Sequence, residues 1–377
     1  MSGVPSGPRD DARWMARALE LAREGRGLCN PNPMVGAVVV RAGRAVGEGF
    51  HAVAGGPHAE VVALRAAGEL ARGATLYVTL EPCNHVGRTP PCVDAVIAAG
   101  VRRVVSAVAD PNPRVRGKGA AALSTAGIEV LVGCLAERAR EDNRAFFTAM
   151  ERRRPHVTLK WAMTLDGKIA ARDGRARWIT GPDARLLAHR MRAESDAVMV
   201  GIGTALADDP ALDVRLDPPW PRQPWRVVVD SRGRLPATAR VLGTGDPRRA
   251  VVAVTDAAPI ESVARLEAAG ATVLGCKSHD GRVDPADLLG RLAAMDVNAV
   301  LVEGGGGLHG ALVDTGLCDR VAVFVAPMLL GGHASPTPLG GRGLLLPDAL
   351  RLRSVAVRPL GPDWLLEGDV VHPEAAD

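Results

Sequence analysis

Residues 58–92 constrain this chain more than any other stretch. They begin HAEVVALRAAG, end TLEPCNHVGRTPPC, and carry one imidazole and two thiols in fixed order. His58 opens a segment that reads as a helix start, Cys83 follows Pro82 after an apolar strand, and Cys92 closes a Pro-rich loop. An imidazole and two thiolates are three good ligands for a tetrahedral zinc. Any fold of this chain therefore has to bring His58, Cys83 and Cys92 to one point. The ligands are expected at helix starts, where exposed N–H groups and the helix dipole favour thiolate over thiol. Three protein ligands leave a fourth position open, which separates catalytic from structural zinc. The competing arrangement is a closed knot with His85 as fourth ligand. Glu60, two residues after His58, speaks against it, because a structural site has no use for that carboxylate.

A zinc-ligating His followed two residues later by a non-ligating Glu is the pattern of nucleobase deaminases. Bound zinc brings the pKa of water from 15.7 to roughly 7, and water then attacks an amidine-like ring carbon. Glu60 is the expected proton shuttle, carrying the proton of water to the departing nitrogen. The short deaminase form is P-C-x-x-C, whereas eight residues, NHVGRTPP, separate Cys83 from Cys92 here. That loop adds His85, Arg88 and Thr89, a set suited to a polar, phosphorylated substrate. With it the chain resembles the bifunctional riboflavin-biosynthesis deaminase/reductases, whose deaminase half carries H-A-E and then P-C-x-H-x-G-R-T-P-P-C. A long loop ending in RTPPC is not shared with the cytidine or tRNA adenosine deaminases.

At 377 residues, two domains are expected. Hydrophobic residues at 47% and charged ones at 23% suit a globular chain that buries real cores. Aromatics at 3%, with one Tyr, exclude an extended stacking platform for bases. A net charge of +4, spread over many Arg, is too mild to argue for nucleic acid and equally suits phosphorylated small molecules. The six cysteines are widely scattered, unlike a disulfide framework. MSGVPSGPRDD has no apolar leader core, and no run of about 18 apolar residues appears. The expectation is a cytoplasmic enzyme of a small-molecule substrate, with no nucleic-acid or membrane partner and room for a homo-oligomer.

The first domain, 1–150, alternates helices and strands. Asp10 or Asp11 can cap a helix with Trp14, Ala18, Leu21 and Ala22 on one face. NPNPMVGAVVV passes from turn to buried strand, and GRAVGEGFH reads as its hairpin partner. A helix from Ala59, strand ATLYVTL, a helix after Cys92, strand RRVVSAV, helix KGAAALSTAG and strand IEVLVG follow. This is an α/β layered domain on one sheet. Asn32 lies before the first core strand and is either a turn residue or a hydrogen-bond partner of the substrate ring; the N-P-x-V-G motif of the family favours the second. His51, seven residues before His58, either reaches the site or lies on the surface. The charged helix CLAERAREDNRAFFTAMERRR stops before Pro155, where a second, unrelated domain, 155–377, is expected.

That domain alternates strands and helices again, from HVTLKWAMTLDGKIA to an edge hairpin of RLRSVAVRPL and DWLLEGDVV, and reads as a doubly wound α/β sheet. Gly305, Gly307 and Gly310 fit G-x-G-x-x-G after an apolar strand and before a helix, a nucleotide signal. GIGTALADDP is a second strand-to-loop junction with small residues and a carboxylate. The Gly loop comes too late for an ordinary Rossmann dehydrogenase. TLDGKIA, WITG, LADDP and VEGGGGLHGAL together resemble the reductase half of the same family, which is similar in fold to dihydrofolate reductase; the first half is cytidine-deaminase-like.

The resemblance implies zinc and NADPH. It places NADPH on Ala162, Trp178, Thr204, Asp208, Ser231 and the loop Gly305, Gly306, Gly307, Leu308, His309, Gly310 and Ala311. It places a ribosylamino phosphate on Arg192, Leu212, Arg215 and Glu303, with Lys160 and Asp208 nearest the hydride transfer and His85 and Asn32 on substrate in the deaminase. Arg forks suit a sugar phosphate; a surface ion pair is the alternative for Arg192 and Arg215, and a helix N-terminal charge for Glu303. Ala176 stands where the family often has Ser. The implied reactions are deamination of 2,5-diamino-6-ribosylamino-4(3H)-pyrimidinone 5′-phosphate, then reduction of the ribosyl group of the product to ribityl.

Overall fold

The computed structural model describes residues 8–86, 90–112 and 115–372, and the chain divides into two compact units, 1–153 and 154–377. In the first unit the order is α1 (Pro8–Arg23), β1 (Gly36–Arg41), β2 (Arg44–Phe50), α2 (Ala59–Ala67), β3 (Thr75–Val78), α3 (Cys92–Ala98), β4 (Arg103–Ser106), α4 (Lys118–Thr125), β5 (Glu129–Val132), α5 (Ala136–Asp142) and α6 (Arg144–Arg152). One sheet runs β2-β1-β3-β4-β5, with β1 antiparallel to both its neighbours and β3, β4 and β5 parallel. The apolar runs AVVV and TLYV are buried without alternation, as expected for strands covered on both faces. Glycine sets how closely the helices lie. A Cβ at Gly36 would strike the backbone of α1, and one at Gly47 the backbone of α2. Helix α2, which carries Glu60, is thereby pressed onto the sheet.

Two local expectations change. Asp11 is no cap: it lies inside α1, buried, and accepts from Arg103 Nη1 at 2.7 Å and Nη2 at 2.9 Å and from Tyr77 Oη at 2.8 Å. Breaking such a buried pair leaves a charge without compensation, at a cost of about 3–5 kcal/mol. Asp11→Ala should therefore lower the unfolding free energy of this unit by about that amount, read by denaturant titration; a loss below about 1 kcal/mol would contradict it. The charged helix before Pro155 is two helices. Asn143 breaks it, using its side chain to accept from Met34 N and donate to Met34 O, each at 2.8 Å.

The second unit contains β6 (His156–Thr164), α7 (Pro182–Glu194), β7 (Ala197–Gly201), α8 (Ile202–Asp208), β8 (Trp225–Val229), α9 (Arg240–Gly243), β9 (Ala250–Val254), α10 (Ile260–Ala268), β10 (Thr272–Gly275), β11 (Ser278–His279), β12 (Arg282–Val283), α11 (Pro285–Ala293), β13 (Ala299–Val302), α12 (Gly306–Asp314), β14 (Arg320–Ala326), β15 (Arg351–Leu360) and β16 (Asp363–Val371). Its sheet runs β10-β9-β8-β7-β13-β6-β14-β16-β15, parallel as far as β14 and closed by the antiparallel hairpin β15–β16. Sequence reading finds the edge hairpin and the parallel core but misses β14, RVAVFVA, beside β6. It also takes GIGTALAD for a loop, where the structure has α8, and extends the first strand past Thr164. Among the described residues no helix is long and apolar enough to cross a membrane.

Candidate active sites

The N-terminus of α2 and that of α3 meet below the end of β3. His58 is the residue before α2, and Cys92 is the first residue of α3. Cys83 does not begin a helix, contrary to expectation. It lies in the loop after β3, and its sulfur accepts the backbone N–H of Cys92 at 3.4 Å, so the dipole of α3 still reaches it. His58 Nδ1 lies 3.1 Å from Cys92 Sγ and 3.6 Å from Cys83 Sγ. All three donor atoms fall within 4.8 Å of one another, and they form the one His/Cys/carboxylate cluster of this kind among the described residues. Zinc bonds of about 2.0–2.3 Å fit donors at this spacing, and the soft sulfur and imidazole set is the one zinc prefers. His85 is exposed and outside the cluster, so the cluster offers three protein donors rather than the four of a closed knot. Arg88 and Thr89 lie outside the described residues.

The two sulfurs share their protons unequally. A hydrogen bond from the Cys92 thiol, working against burial, brings the Cys83 thiol well below its ordinary range, with His58 adding to the effect. The same hydrogen bond, together with burial and the nearby Glu60 charge, pushes Cys92 far up. A dication at the centre would take the place of that shared proton. Glu60 is buried, reaches Cys92 Sγ with its carboxyl, and has its pKa raised chiefly by burial.

His51 is not a surface residue: it is 3% exposed and packs edge-on to His58, with ring centroids 5.3 Å apart. Its Nδ1–H donates to Pro57 O at 3.0 Å, so Nε2 accepts from Asn32 Nδ2 at 2.9 Å. Burial, only partly offset by that Pro57 bond, holds the imidazole below its ordinary pKa and so neutral. Asn32 is thus tied to the site through a histidine 19 positions away. Sequence reading missed Glu81 altogether. Buried just before Pro82 and Cys83, it accepts four backbone N–H bonds, from Asp110 (3.2 Å), Gly117 (2.9 Å), Gly119 (3.0 Å) and Ala120 (3.1 Å). It thereby ties the loop before α4 to the segment that carries Cys83. An acid before Pro-Cys has no local signature that announces such a role.

In the second unit a cavity of about 550 Å³ opens at the C-terminal ends of β7, β8 and β13. Thr204, Ser231, Gly305, Gly307, Leu308 and Ala311 line it. Only one of the three motif glycines needs a positive φ: Gly305, at 84°. A Cβ on Gly307 would point into open space, with Arg282 Nη1 at 3.9 Å as its nearest neighbour. Gly306 and Gly310 pack instead on the backbone of 337–341, and a Cβ at Gly310 would collide with Gly340. His309 is buried, its ring nitrogens each 3.2 Å from a carbonyl, of Pro338 and Val302. A strand-to-helix turn left open by Gly307, with N–H groups at its helix end, fits a dinucleotide phosphate.

Two family models cover most of the chain: the cytidine and deoxycytidylate deaminase zinc-binding region matches residues 8–108, and the RibD C-terminal domain matches 155–366. The riboflavin biosynthesis protein RibD of Aquifex aeolicus is 44% identical, over 94% of this chain and 97% of its own. The chain belongs to the RibD family. The Escherichia coli member is 43% identical, over 94% of this chain and 98% of its own. The solved structure of Acinetobacter baumannii RibD superposes with a TM-score of 0.88 at 40% identity, covering 97% of this chain and all of its own. A Thermotoga maritima structure, described as a diaminohydroxyphosphoribosylaminopyrimidine deaminase and 5-amino-6-(5-phosphoribosylamino)uracil reductase, gives 0.83 at 36% identity over 97% of this chain and 99% of its own. The chain thus has the RibD plan, a deaminase domain followed by a reductase domain of riboflavin biosynthesis.

In this RibD-family chain the charges expected to meet substrate meet each other first. Arg192 Nε and Nη2 donate to the two oxygens of Glu303 at 2.5 and 2.9 Å, and Nη1 donates to Asp213 O at 2.9 Å. The fork expected on a sugar phosphate is therefore occupied by Glu303, and the surface ion pair that was the alternative for Arg192 is instead a largely buried one. Lys160 Nζ joins at 3.8 Å from Glu303. Arg215 is the exposed cation of the group, near Asp213 at 3.5 Å, and its backbone N–H donates to His189 Nδ1. Leu212 adopts a positive φ of 55° beside it. Asp208 ends α8, where its carbonyl accepts from Arg177 at 2.5 Å. Trp178, 67% exposed, lies under the Arg185 guanidinium, and neither it, Asp208 nor Ala162 lines the cavity.

Burial alone would raise the Glu303 carboxyl, but the charges of Arg192 and Lys160 outweigh it and hold the group at about 2, below its ordinary 4.5. A depressed carboxylate contributes stability that is full above 4.5 and lost as pH falls toward 2. The stability difference between wild type and Glu303→Gln should accordingly be flat above pH 4.5 and shrink between 4.5 and 2, as read by denaturation at stepped pH. A difference that stays constant through that window would show that Glu303 is not held ionised by the cluster.

Proposed function

We propose that the first unit hydrolytically deaminates 2,5-diamino-6-ribosylamino-4(3H)-pyrimidinone 5′-phosphate, and that the second reduces the ribosyl group of 5-amino-6-(5-phosphoribosylamino)uracil to ribityl with NADPH. The observation that carries this reading is the convergence of His58, Cys83 and Cys92 with Glu60 against Cys92. Zinc on those three side chains would supply Lewis-acid activation of water at neutral pH. Glu60 accepts the proton that water gives up and delivers it to the departing amino nitrogen, so that ammonia leaves neutral. Asn32, its amide nitrogen held by His51, keeps Oδ1 for a ring N–H, and exposed His85 serves the polar end of the substrate.

NADPH bound in the second unit would supply the hydride. The Gly305–Ala311 segment, Thr204 and Ser231 take the phosphate and adenosine side, and Ala162, Trp178 and Asp208 the nicotinamide side. Lys160, Arg192 and Glu303 form a pre-organised charged wall for the sugar, and Arg215 remains the exposed guanidinium for its phosphate. Ala176, where the family often has Ser, has no hydroxyl to offer the substrate.

Incubation of the full chain with the diaminopyrimidine phosphate tests both steps. Ammonia should appear without NADPH, and NADPH should be oxidised only as the deaminated product accumulates. Ammonia from tRNA but none from the free nucleotide would overturn the first assignment, and reduction that proceeds without NADPH would overturn the second.

A further inference from the structure

The cavity that holds the Gly loop carries three guanidinium groups outside the sequence motifs. Arg232 and Arg234 lie in the turn after β8, and Arg282 lies on the short hairpin β11–β12. Among the described residues neither Arg232 nor Arg282 has a carboxylate within salt-bridge distance, and Arg234 Nε is 3.9 Å from Asp230. One acid, Asp280, also lines the cavity; it is shared with Arg342 at 3.7 Å and His279 at 3.8 Å. The lining is therefore net cationic, at a place where cations repel unless an anion joins them.

The strand order says which anion. The Gly loop follows β13, and β8 lies two strands away, about 10 Å across the sheet, with β7 between. With the nicotinamide on the side of Ala162 in β6, as proposed above, a dinucleotide whose pyrophosphate rests at α12 would lay its adenosine ribose on the opposite side of β13, toward the end of β8. In sites that take an unphosphorylated ribose, an acid commonly meets the 2′-hydroxyl, whereas arginine accommodates a 2′-phosphate. The acid at this strand end is Asp230, and it is turned inward. It is fully buried, and Oδ2 accepts the backbone N–H of Leu235 at 2.8 Å while its carbonyl accepts that of Gly233 at 3.0 Å. It shapes the turn, and Ser231, Arg232 and Arg234 face the cavity in its place. Ser231 Oγ accepts Val283 N at 2.9 Å, which ties the Arg282 hairpin to the same turn.

We propose that Arg232 and Arg234 recognise the ribose 2′-phosphate and make this reductase prefer NADPH to NADH, while Arg282, beside Gly307, serves the pyrophosphate that both nucleotides share. This rests on the reading of the cavity as the dinucleotide site. The test is binding to the full chain, followed by nucleotide fluorescence for NADPH and NADH and by displacement with 2′-AMP and 5′-AMP. Arg232→Ala with Arg234→Ala should weaken NADPH and 2′-AMP by about tenfold or more for each guanidinium, and leave NADH and 5′-AMP within about twofold. Arg282→Ala should weaken NADPH and NADH alike. Arg232→Lys with Arg234→Lys should restore part of the preference, and melting curves show that each variant is folded. Equal loss of both nucleotides in the double alanine variant, or an unchanged preference, would overturn the assignment. If Gly307→Val also leaves NADPH bound as in wild type, the cavity is not the cofactor site and the reading beneath the proposal fails. If Gly307→Val abolishes binding while the double arginine variant keeps its preference, only the arginine assignment is wrong.

Discussion

A Glu60→Gln variant should keep zinc at the wild-type level and lose deamination by about 10²- to 10⁴-fold, the usual worth of a positioned general acid–base group. The amide preserves shape and burial at the start of α2, but it neither accepts the proton from water nor returns it to the leaving nitrogen. Glu60 lies outside the set His58, Cys83 and Cys92, so the metal should stay at about one per chain. Cys92→Ala gives the contrast. It removes one of three donors and opens the N-terminus of α3, so zinc and deamination should vanish together. Metal analysis alongside ammonia release separates the two variants. Near-normal turnover in Glu60→Gln would exclude it as the shuttle, and full zinc in Cys92→Ala would exclude Cys92 as a ligand.

The second large effect is expected from Gly307→Val, which should raise the NADPH dissociation constant by about 10- to 10²-fold, the equivalent of about 1–3 kcal/mol of steric overpacking against the ligand. The added side chain points into the cavity and meets only the end of Arg282, so the protein has room to fold around it. Gly307 is not among the residues with positive φ, so backbone strain does not contribute; that demand falls on Gly305. Gly310→Val would be a poor test, because its Cβ collides with the backbone of Gly340 and folding itself would suffer. Zinc content and ammonia release should be unchanged in Gly307→Val. Unaltered NADPH affinity would remove the Gly loop as the cofactor site, and loss of both activities in a folded chain would show that the two sites are not separable.

The elements whose evidence is local were legible in the sequence. Unbroken β-branched runs announce the buried strands and a glycine run after such a strand announces the turn before α12, each within a few adjacent residues. His58-x-Glu60 with two distant cysteines announces the three-donor cluster, because ligand chemistry restricts residue type more tightly than packing does. Tertiary structure alone decided the pairings. His51 became an anchor for Asn32, 19 positions away, only when β2 closed beside β1. Arg192 and Glu303, 111 positions apart, turned out to be each other's partners because α7 and the end of β13 meet. Asp11 changed from cap to buried acceptor when β4 brought Arg103 beneath α1, and Glu81 acquired four backbone donors, from Asp110 and Gly117 before α4 and from Gly119 and Ala120 in its first turn. A charged side chain has the same spelling whether it faces water, a partner or a ligand. Which of the three it faces depends on strand order and register, and those are set by burial summed over the whole sheet rather than by any neighbour in sequence.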